Sequence, residues 1–305
     1  MNKLFILVGL QASGKSTYAR DKQCEFGSGN YPAVIISADD IRLKFPEWTP
    51  NQVWSHLYGQ VNAELKYRNV ILDNTNVTIK NRKMLLDAVT IPCEKHIKIM
   101  NTPYEECLKR LEERNNSEYP TKIGKEVLDK YIRIFQVPFM EEGWTSIELI
   151  NKKSINVKQV KELQETLNNF DQNNKHHTQT LGVHSEAVLD QLKLMKEVGD
   201  MAGTDVFFGD TSFLTGCVLH DIGKLFVRHP NPKNPEMSSY YNHAEFGAYW
   251  KLCNGWSIEE AFWENYHMLL MSDASDKTKE KLKKQFGEQK FFLLSTLREA
   301  DGGAH

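Results

Sequence analysis

Near the N-terminus, Gly9-Leu-Gln-Ala-Ser13-Gly14-Lys15-Ser16-Thr17 has the residue types and spacing to hold a phosphate chain. The run fits the pattern G-x-x-x-x-G-K-[ST] in register. Gly9 and Gly14 let the backbone curl so that successive N–H groups, Ser13's among them, point inward at an anion. Nothing after Thr17 breaks a helix until well past Lys22, so a helix can start at Ser16 and add its positive end. Lys15 would reach the β- and γ-phosphates, and the Ser16 hydroxyl would ligate Mg²⁺. The chemistry is binding of ATP or another nucleoside triphosphate. A coincidental Gly-Lys-Ser turn is the alternative, and the apolar run Lys3–Val8 just before the loop argues against it.

Other residues could do chemistry in more than one way. In Ser37-Ala-Asp39-Asp40-Ile-Arg42, a carboxylate could take the proton of an attacking hydroxyl while Arg42 holds an acceptor phosphate. The same residues would also suit an Asp helix cap with a solvated arginine. Asp73 in Asp73-Asn-Thr-Asn76 could orient Mg²⁺ or cap a helix, and both stay open. Lys80-Asn-Arg82-Lys83 puts cations near the acceptor side, or forms a solvated face. Arg110 and Arg114 share a helix face at i, i+4, which suits a lid over phosphates or a salt-bridged surface. Further on, His220-Asp221 could offer a metal an imidazole and a carboxylate on one rigid element. The dipeptide alone is commonplace. His184 upstream, Asp301 downstream, and Gly223-Lys224, with backbone room and a cation for a phosphate, give it weight. His176, His177, His229 and His305 read as surface histidines.

The elements that must position these residues fall into two kinds. Lys3–Val8, Ala33–Ser37, Asn69–Asp73, His96–Met100 and Ser146–Ile150 read as short strands. Helical stretches separate them, at Val53–Tyr67, Tyr104–Asn115 and Lys125–Gln136. Alternation of this kind indicates a parallel α/β sheet flanked by helices. From His176 onward the pattern is helical, at Ser185–Val198, Phe213–Leu219, Ala244–Leu252, Ile258–Met268 and Phe291–Ala300, and predicts an all-α domain. Gly302-Gly303 is expected to stop the last helix just after Asp301. The polar stretch between the two patterns contains a helix at Val157–Phe170. The organisation expected is a first domain at 1–155, a linker with helix at 156–175, and a second domain at 176–305.

Composition narrows the class. The 305 residues suit two domains, and 40% hydrophobic and 26% charged residues suit an ordinary soluble protein. No apolar run approaches the ~20 residues a membrane helix needs. No secretory signal is visible, and the five cysteines form no C-x-x-C pair. The expected location is the cytoplasm, or the host cytoplasm for a viral protein. A net charge of −2 argues against a non-specific nucleic-acid coat, though not against an enzyme that holds one end. Nothing in the sequence fixes the oligomeric state.

Residues 1 to about 150 resemble the kinase domain of phage polynucleotide 5′-kinases. The matching pieces are Gly9–Thr17, Ser37–Arg42, Ile71–Asn76 with Arg82 beyond, and Leu108–Arg114, in the family's order. The resemblance implies an α/β P-loop fold, Asp39 as general base on the 5′-hydroxyl, Arg42 on the acceptor's 3′-side phosphate, and Arg114 on the transferring phosphoryl group. Gln11-Ala12 replace the family's common Pro-Gly within the four variable loop positions. The set His184, His220-Asp221, Asp301 resembles the H…HD…D pattern of the HD phosphohydrolase superfamily. There His243 and His267 match histidines that serve a second metal or the substrate phosphate. The resemblance implies a divalent ion, Mn²⁺, Ni²⁺, Co²⁺ or Zn²⁺, that lowers the pKa of a bound water, with Lys224 stabilising phosphate charge.

Together these resemblances predict a bifunctional enzyme that heals RNA or DNA ends. It would phosphorylate 5′-OH ends and remove 2′-, 3′- or 2′,3′-cyclic phosphate. RNA cut by a metal-independent nuclease carries both kinds of end, and an RNA ligase, the partner this implies, needs both repaired. Two alternatives stay open. One is a small-molecule or nucleotide kinase fused to a nucleotide or cyclic-nucleotide phosphohydrolase. The other is a nucleotide-gated binding protein with a degenerate second domain.

Overall fold

Lys3–Val8 forms the central strand β1, buried from Leu4 onward. Covering on both faces explains why its sequence is an unbroken apolar run with no polar alternation. In the computed structural model, which describes residues 1–28, 31–118, 122–174, 178–201, 211–270 and 274–304, β1 pairs in parallel with two neighbours. One is β3 (Val70–Leu72), with Ile6 opposite Leu72, and the other is β4 (Glu94–Ile99), with Ile6 opposite Ile97. β2 (Val34–Ile36) adds beside β3 and β5 (Ser146–Leu149) beside β4, giving the all-parallel order β2-β3-β1-β4-β5. Strand order reverses at β1. In open α/β sheets ligands bind at such a point, beyond the strands' C-terminal ends.

The helices of this half are α1 (Lys15–Lys22), α2 (Ala38–Lys44), α3 (Pro50–Glu64), α4 (Ile79–Ala88), α5 (Tyr104–Asn116) and α6 (Lys125–Arg133). α3 begins with Pro50 after a reciprocal Thr49–Gln52 cap, which fixes its first turn.

The chain divides after Lys152 into the units Met1–Lys152 and Lys153–His305, three residues before the expected boundary. The stretch read as a linker belongs to the second unit. Its helix α7 (Val157–Asn168) places Leu167 in a buried cluster with Leu181 and Ile222. The second unit continues with α8 (Leu181–Met201), α9 (Thr211–Val218) and a 3₁₀ turn at Ile222–Leu225. Then come α10 (His243–Cys253), α11 (Ile258–Tyr266), a 3₁₀ turn at His267–Leu270 and α12 (Asp276–Gly303). α12 is two helical segments meeting at Gly287.

The all-α expectation needs one correction. Strands β6 (His229–Asn231) and β7 (Asn234–Ser239) form an antiparallel hairpin before α10. Its prolines and asparagines carry no alternating apolar signal, so pairing there follows from the turn and not from strand propensity. Gly302-Gly303 lie inside α12, and Ala304 is the cap. Among the described residues no helix is long and apolar enough to cross a membrane.

Candidate active site and candidate metal centre

The loop after β1 is drawn tight around Lys15. Gly14 takes φ 93°, a left-handed turn that lets α1 start immediately, and Ala12 sits at φ 57°, where the resemblance has glycine. The Lys15 ammonium is buried and donates to the Gly9 carbonyl at 3.1 Å and to the Leu10 carbonyl. Burial lowers its pKa from 10.5 to about 8, opposed chiefly by the Asp73 carboxylate. A buried ammonium folded onto carbonyls is a cation waiting for an anion.

Burial raises the pKa of Asp73, against a hydrogen bond from Ser16 and the charge of Lys15. Asp73 therefore stands beside both phosphate-loop side chains, which favours its metal-orienting role over the helix cap. The Ser13 carbonyl accepts from Thr102 Oγ1 at 2.9 Å, tying the loop to the end of β4. Ser16 and Thr17 are exposed. Arg110, held by Glu106 at 2.8 Å, lies over the loop, within 3.4 Å of where a Gly14 side chain would begin. The positive charge of Arg114 contributes to the lowered Lys15 pKa, which places both arginines of α5 on the phosphate side.

At the start of α2 the helix cap is Ser37 and not Asp39. Ser37 Oγ accepts from the Asp39 N–H at 3.1 Å and the Asp40 N–H at 3.5 Å, and Asn74 Oδ1 accepts from Ala38 N–H at 3.0 Å. That leaves the Asp39 carboxylate to Arg42, at 2.7 Å, with both side chains largely exposed.

The cationic cluster Lys80–Lys83 does not act together. Arg82 is fully buried, forks onto Glu142 with two bonds of 2.7 Å, and donates to the Asn76 and Gln136 carbonyls. It braces the Asp73–Asn76 turn from behind, while Lys80 and Lys83 face solvent.

The second unit brings His184, His220, Asp221, His243, His267 and Asp301 together. All are buried. They come from α8, the end of α9, the start of α10, the 3₁₀ turn after α11 and the last turn of α12. Two groups of three, His184–His220–Asp221 and Asp221–His243–His267, each put their ligand atoms within 4.8 Å of one another. Asp221 is shared. Its Oδ1 lies 3.0 Å from His243 Nε2 and 3.5 Å from His267 Nε2. Its Oδ2 lies 3.5 Å from His220 Nε2 and 3.7 Å from His184 Nε2. Asp301 Oδ1 faces His184 at 3.1 Å and His220 at 3.5 Å.

Whether these residues fit a metal is decided by the far side of each ring. Nδ1 of His220, His243 and His267 lies 2.8, 2.8 and 2.6 Å from the backbone carbonyls of Cys217, Tyr240 and Glu264. His184 Nδ1 makes a longer contact of 3.4 Å with the Ala304 carbonyl. A carbonyl only accepts, so each Nδ1 carries a proton, and each ring in its neutral form turns an Nε2 lone pair inward. His243 Nε2 and His267 Nε2 then meet at 3.2 Å. Lone pairs facing one another and carboxylate oxygens need a cation between them, and ligand imidazoles hold their other N–H in this way. The donor set fits one or two divalent ions.

Without an ion, a proton takes its place. Burial lowers the His220 imidazole, but Asp221 and Asp301 outweigh it and carry its pKa up to about 9, so this ring takes up a second proton that a bound cation would displace. Burial brings His267 down to about 4. Burial would raise Asp221, yet Lys224 and His220 hold it well below the carboxylate range.

Lys224 Nζ lies 2.6 Å from Asp221 Oδ2 and 2.8 Å from Gln172 Oε1. Gln172 is fully buried and arrives from the stretch read as a linker. No local sequence signal marks it. Gly223 admits no side chain, because a Cβ there would strike the His243 carbonyl at 1.8 Å. This contact seats the His220–Lys224 segment against α10. Behind the centre, Lys251 and Glu264 form a fully buried pair at 3.2 Å, and burial raises the Glu264 pKa to about 7. Of the histidines read as surface residues, His229 is exposed, and His176, His177 and His305 lie outside the described residues.

Residues 4–138 match a family model described as an AAA domain. The chain is 27% identical over 157 residues to the bifunctional polynucleotide phosphatase/kinase of Schizosaccharomyces pombe, covering 50% of this chain and 34% of that protein. It is 28% identical over 146 residues to the L-seryl-tRNA(Sec) kinase of Methanococcus maripaludis, covering 46% and 55%. The chain thus spans about a third and about half of the lengths of these relatives. Among solved structures, a Pnkp1/Rnl/Hen1 RNA repair complex matches at 31% identity over 43% of this chain and 42% of that one, with a TM-score of 0.38. A second structure of the Pnkp1/Rnl/Hen1 complex matches at 33% over 36% and 38%, with a TM-score of 0.32. The first unit is a P-loop kinase domain with homology to polynucleotide kinase, and that homology implies ATP and Mg²⁺.

Proposed function

We propose that this protein heals nucleic-acid ends, RNA before DNA, by phosphorylating 5′-hydroxyls in the first unit and hydrolysing 2′-, 3′- or 2′,3′-cyclic phosphates in the second. The observation that carries the kinase half is the division of labour around the sheet edge. Lys15, Ser16 and Asp73 meet on the phosphate side, and an exposed Asp39–Arg42 pair stands free of capping duty on the other. The two curated relatives, a polynucleotide phosphatase/kinase and a tRNA-linked seryl kinase by name, both support a nucleic-acid-borne hydroxyl as acceptor.

In the transfer, Asp39 accepts the 5′-hydroxyl proton as that oxygen bonds the γ-phosphorus. The bond from the γ-phosphorus to the β–γ bridging oxygen breaks, and ADP leaves. Arg42 releases Asp39 to take the acceptor's 3′-side phosphate. Lys15, Arg110 and Arg114 balance charge on the transferring and leaving groups.

In the second unit we assign His184, His220, Asp221 and Asp301 to one divalent ion and His243 and His267, with Asp221 shared, to another, in the manner of HD phosphohydrolases. An ion bound there would lower the pKa of its water to near neutrality. Lys224, held by Gln172, orients the phosphate and stabilises charge on its oxygens. An RNA ligase is the partner that would consume the healed ends.

The test is to incubate the protein with labelled ATP, Mg²⁺ and a 5′-OH RNA ending in a 2′,3′-cyclic phosphate, with and without Mn²⁺, and to map both product ends. Label at the 5′ end together with a free 3′-OH is the expected result. Neither change would overturn the reading in favour of small-molecule substrates or a nucleotide-gated switch. Asp39→Ala should abolish phosphorylation and spare hydrolysis.

A further inference from the structure

Beside the Asp39–Arg42 pair lies a group of aromatic rings that the core does not use. α3 buries Val53, Leu57 and Val61 as one stripe. Trp54 and Tyr58, one position further round, form a second stripe that is only half-buried, with ring centroids 5.9 Å apart and planes at 27°. At the α2–α3 corner Phe45 and Trp48 stack at 4.0 Å with an interplanar angle of 5°, and both meet His56 edge-on. Cations sit over these faces. The Arg42 guanidinium lies 6.0 Å from the Trp54 centroid and the Lys44 ammonium 5.4 Å from that of Phe45. Trp54 follows directly on the capped, proline-started first turn of α3.

Aromatic faces interleaved with cations, left half-open next to a phosphate-binding arginine, match the needs of a single nucleic-acid strand. Its bases offer π faces and its backbone negative charge. In a duplex those faces are covered by neighbouring bases. We propose that the α2–α3 corner is a stacking platform for the bases of a single-stranded acceptor. Trp54 takes the base of the nucleotide whose 5′-hydroxyl meets Asp39, and the Phe45–Trp48 pair takes a base further along. This rests on the kinase reading above and adds to it a strand state and a base-reading residue. Recognition is by base faces and therefore tolerant of sequence, whereas an acceptor with phosphates and no bases would bind poorly.

The test is a two-by-two comparison of KM. Wild type and Trp54→Leu, which keeps an apolar side chain and loses the ring, are each given a 5′-OH single-stranded oligonucleotide and the same strand abasic at its first three positions. Wild type should lose on the order of 10- to 100-fold in KM on the abasic strand. Trp54→Leu should show that loss already on the intact strand, with little further loss on the abasic one. Its KM for ATP and its melting temperature report that the unit is folded, and Trp54→Phe should recover most of the acceptor binding. If wild type treats both strands alike, or Trp54→Leu costs the same on both, the stacking assignment is overturned while the kinase reading stands. If wild type phosphorylates neither strand, the kinase reading falls and the platform with it.

Discussion

The two sites solve opposite problems. In the first unit Asp39 and Arg42 are 80% and 48% exposed and rest on one another at 2.7 Å. In the second, the Asp221 and His220 side chains are 5% and 0% exposed within a shell of protein. An exposed ion pair is weak, screened by salt and easily opened, which suits the long acceptor proposed to enter and displace it. A buried cluster of lone pairs and carboxylates has no such freedom. It is stable only if a cation or protons neutralise it. On the proposed reading, the first site is set by what it must admit, and the second by what must already be inside it.

The sharpest break in that comparison is Asp221→Ala. Asp221 faces both histidine pairs with different oxygens, so its loss should release all bound divalent metal and abolish phosphoester hydrolysis, while 5′-phosphorylation persists. Metal content by mass spectrometry checks it. His267→Ala should remove part of the metal only. A full metal complement in Asp221→Ala would refute the shared carboxylate.

Next in size is a contrast between two arginines within the first unit. Arg82→Ala strands the buried Glu142 carboxylate and should destabilise the unit by ~3–5 kcal/mol in chemical denaturation. Arg42→Ala breaks only an exposed pair and should change stability by less than ~1 kcal/mol, while acceptor use collapses. Comparable destabilisation by both would remove the distinction drawn here.

Arg82 also shows where the sequence stops being legible. Gly9–Thr17 could be read because its function is local: loop, lysine, hydroxyl and helix start are contiguous. The five strands were readable for a similar reason, β1, β2 and β3 as short apolar runs and β4 and β5 by apolar residues alternating with polar ones. Arg82 looked like one of a group of solvated cations, because Glu142, the residue that buries it, lies 60 positions away. Asp73 could be a cap or a ligand until its proximity to Ser16 and Lys15 was known. The His/Asp set was recognisable by pattern, from the adjacent His220-Asp221 pair and from His184 and Asp301 before and after it. The hairpin at 229–239 left no trace, and Gln172 sat in a polar stretch indistinguishable from a linker.

Gln172 gives the third prediction. Its side-chain Oε1 gives Lys224 a second partner beside Asp221, and its backbone carbonyl, which the substitution keeps, accepts the Tyr240 hydroxyl. Gln172→Ala should lower hydrolysis by ~10- to 100-fold, the usual size for a residue that orients another at a metal site. The loss should appear mainly in KM for the phosphoester, with metal content unchanged. Loss of metal would mean instead that Gln172 supports the fold of the donor set.

The smallest effect is a pH dependence confined to the first unit. The Lys15 pKa is held near 8 in the empty loop by burial, below its ordinary 10.5. Between those values the unfolded chain binds a proton that the folded chain does not. Stability of the empty unit should therefore rise as pH goes from about 8 to about 10.5, and the cost of the buried charge is fully present below 8. Nucleotide phosphates reverse the balance by raising the Lys15 pKa. Above pH 8, binding must then take up a proton, and affinity for ATP should weaken by up to about tenfold per pH unit. Calorimetry at pH 9 in two buffers of different ionisation enthalpy measures that uptake directly. Binding heats independent of buffer would mean that Lys15 stays charged in the empty loop. Asp73 and the Gly9 and Leu10 carbonyls would then outweigh burial, and protonation would no longer separate Lys15 from the exposed Asp39–Arg42 pair.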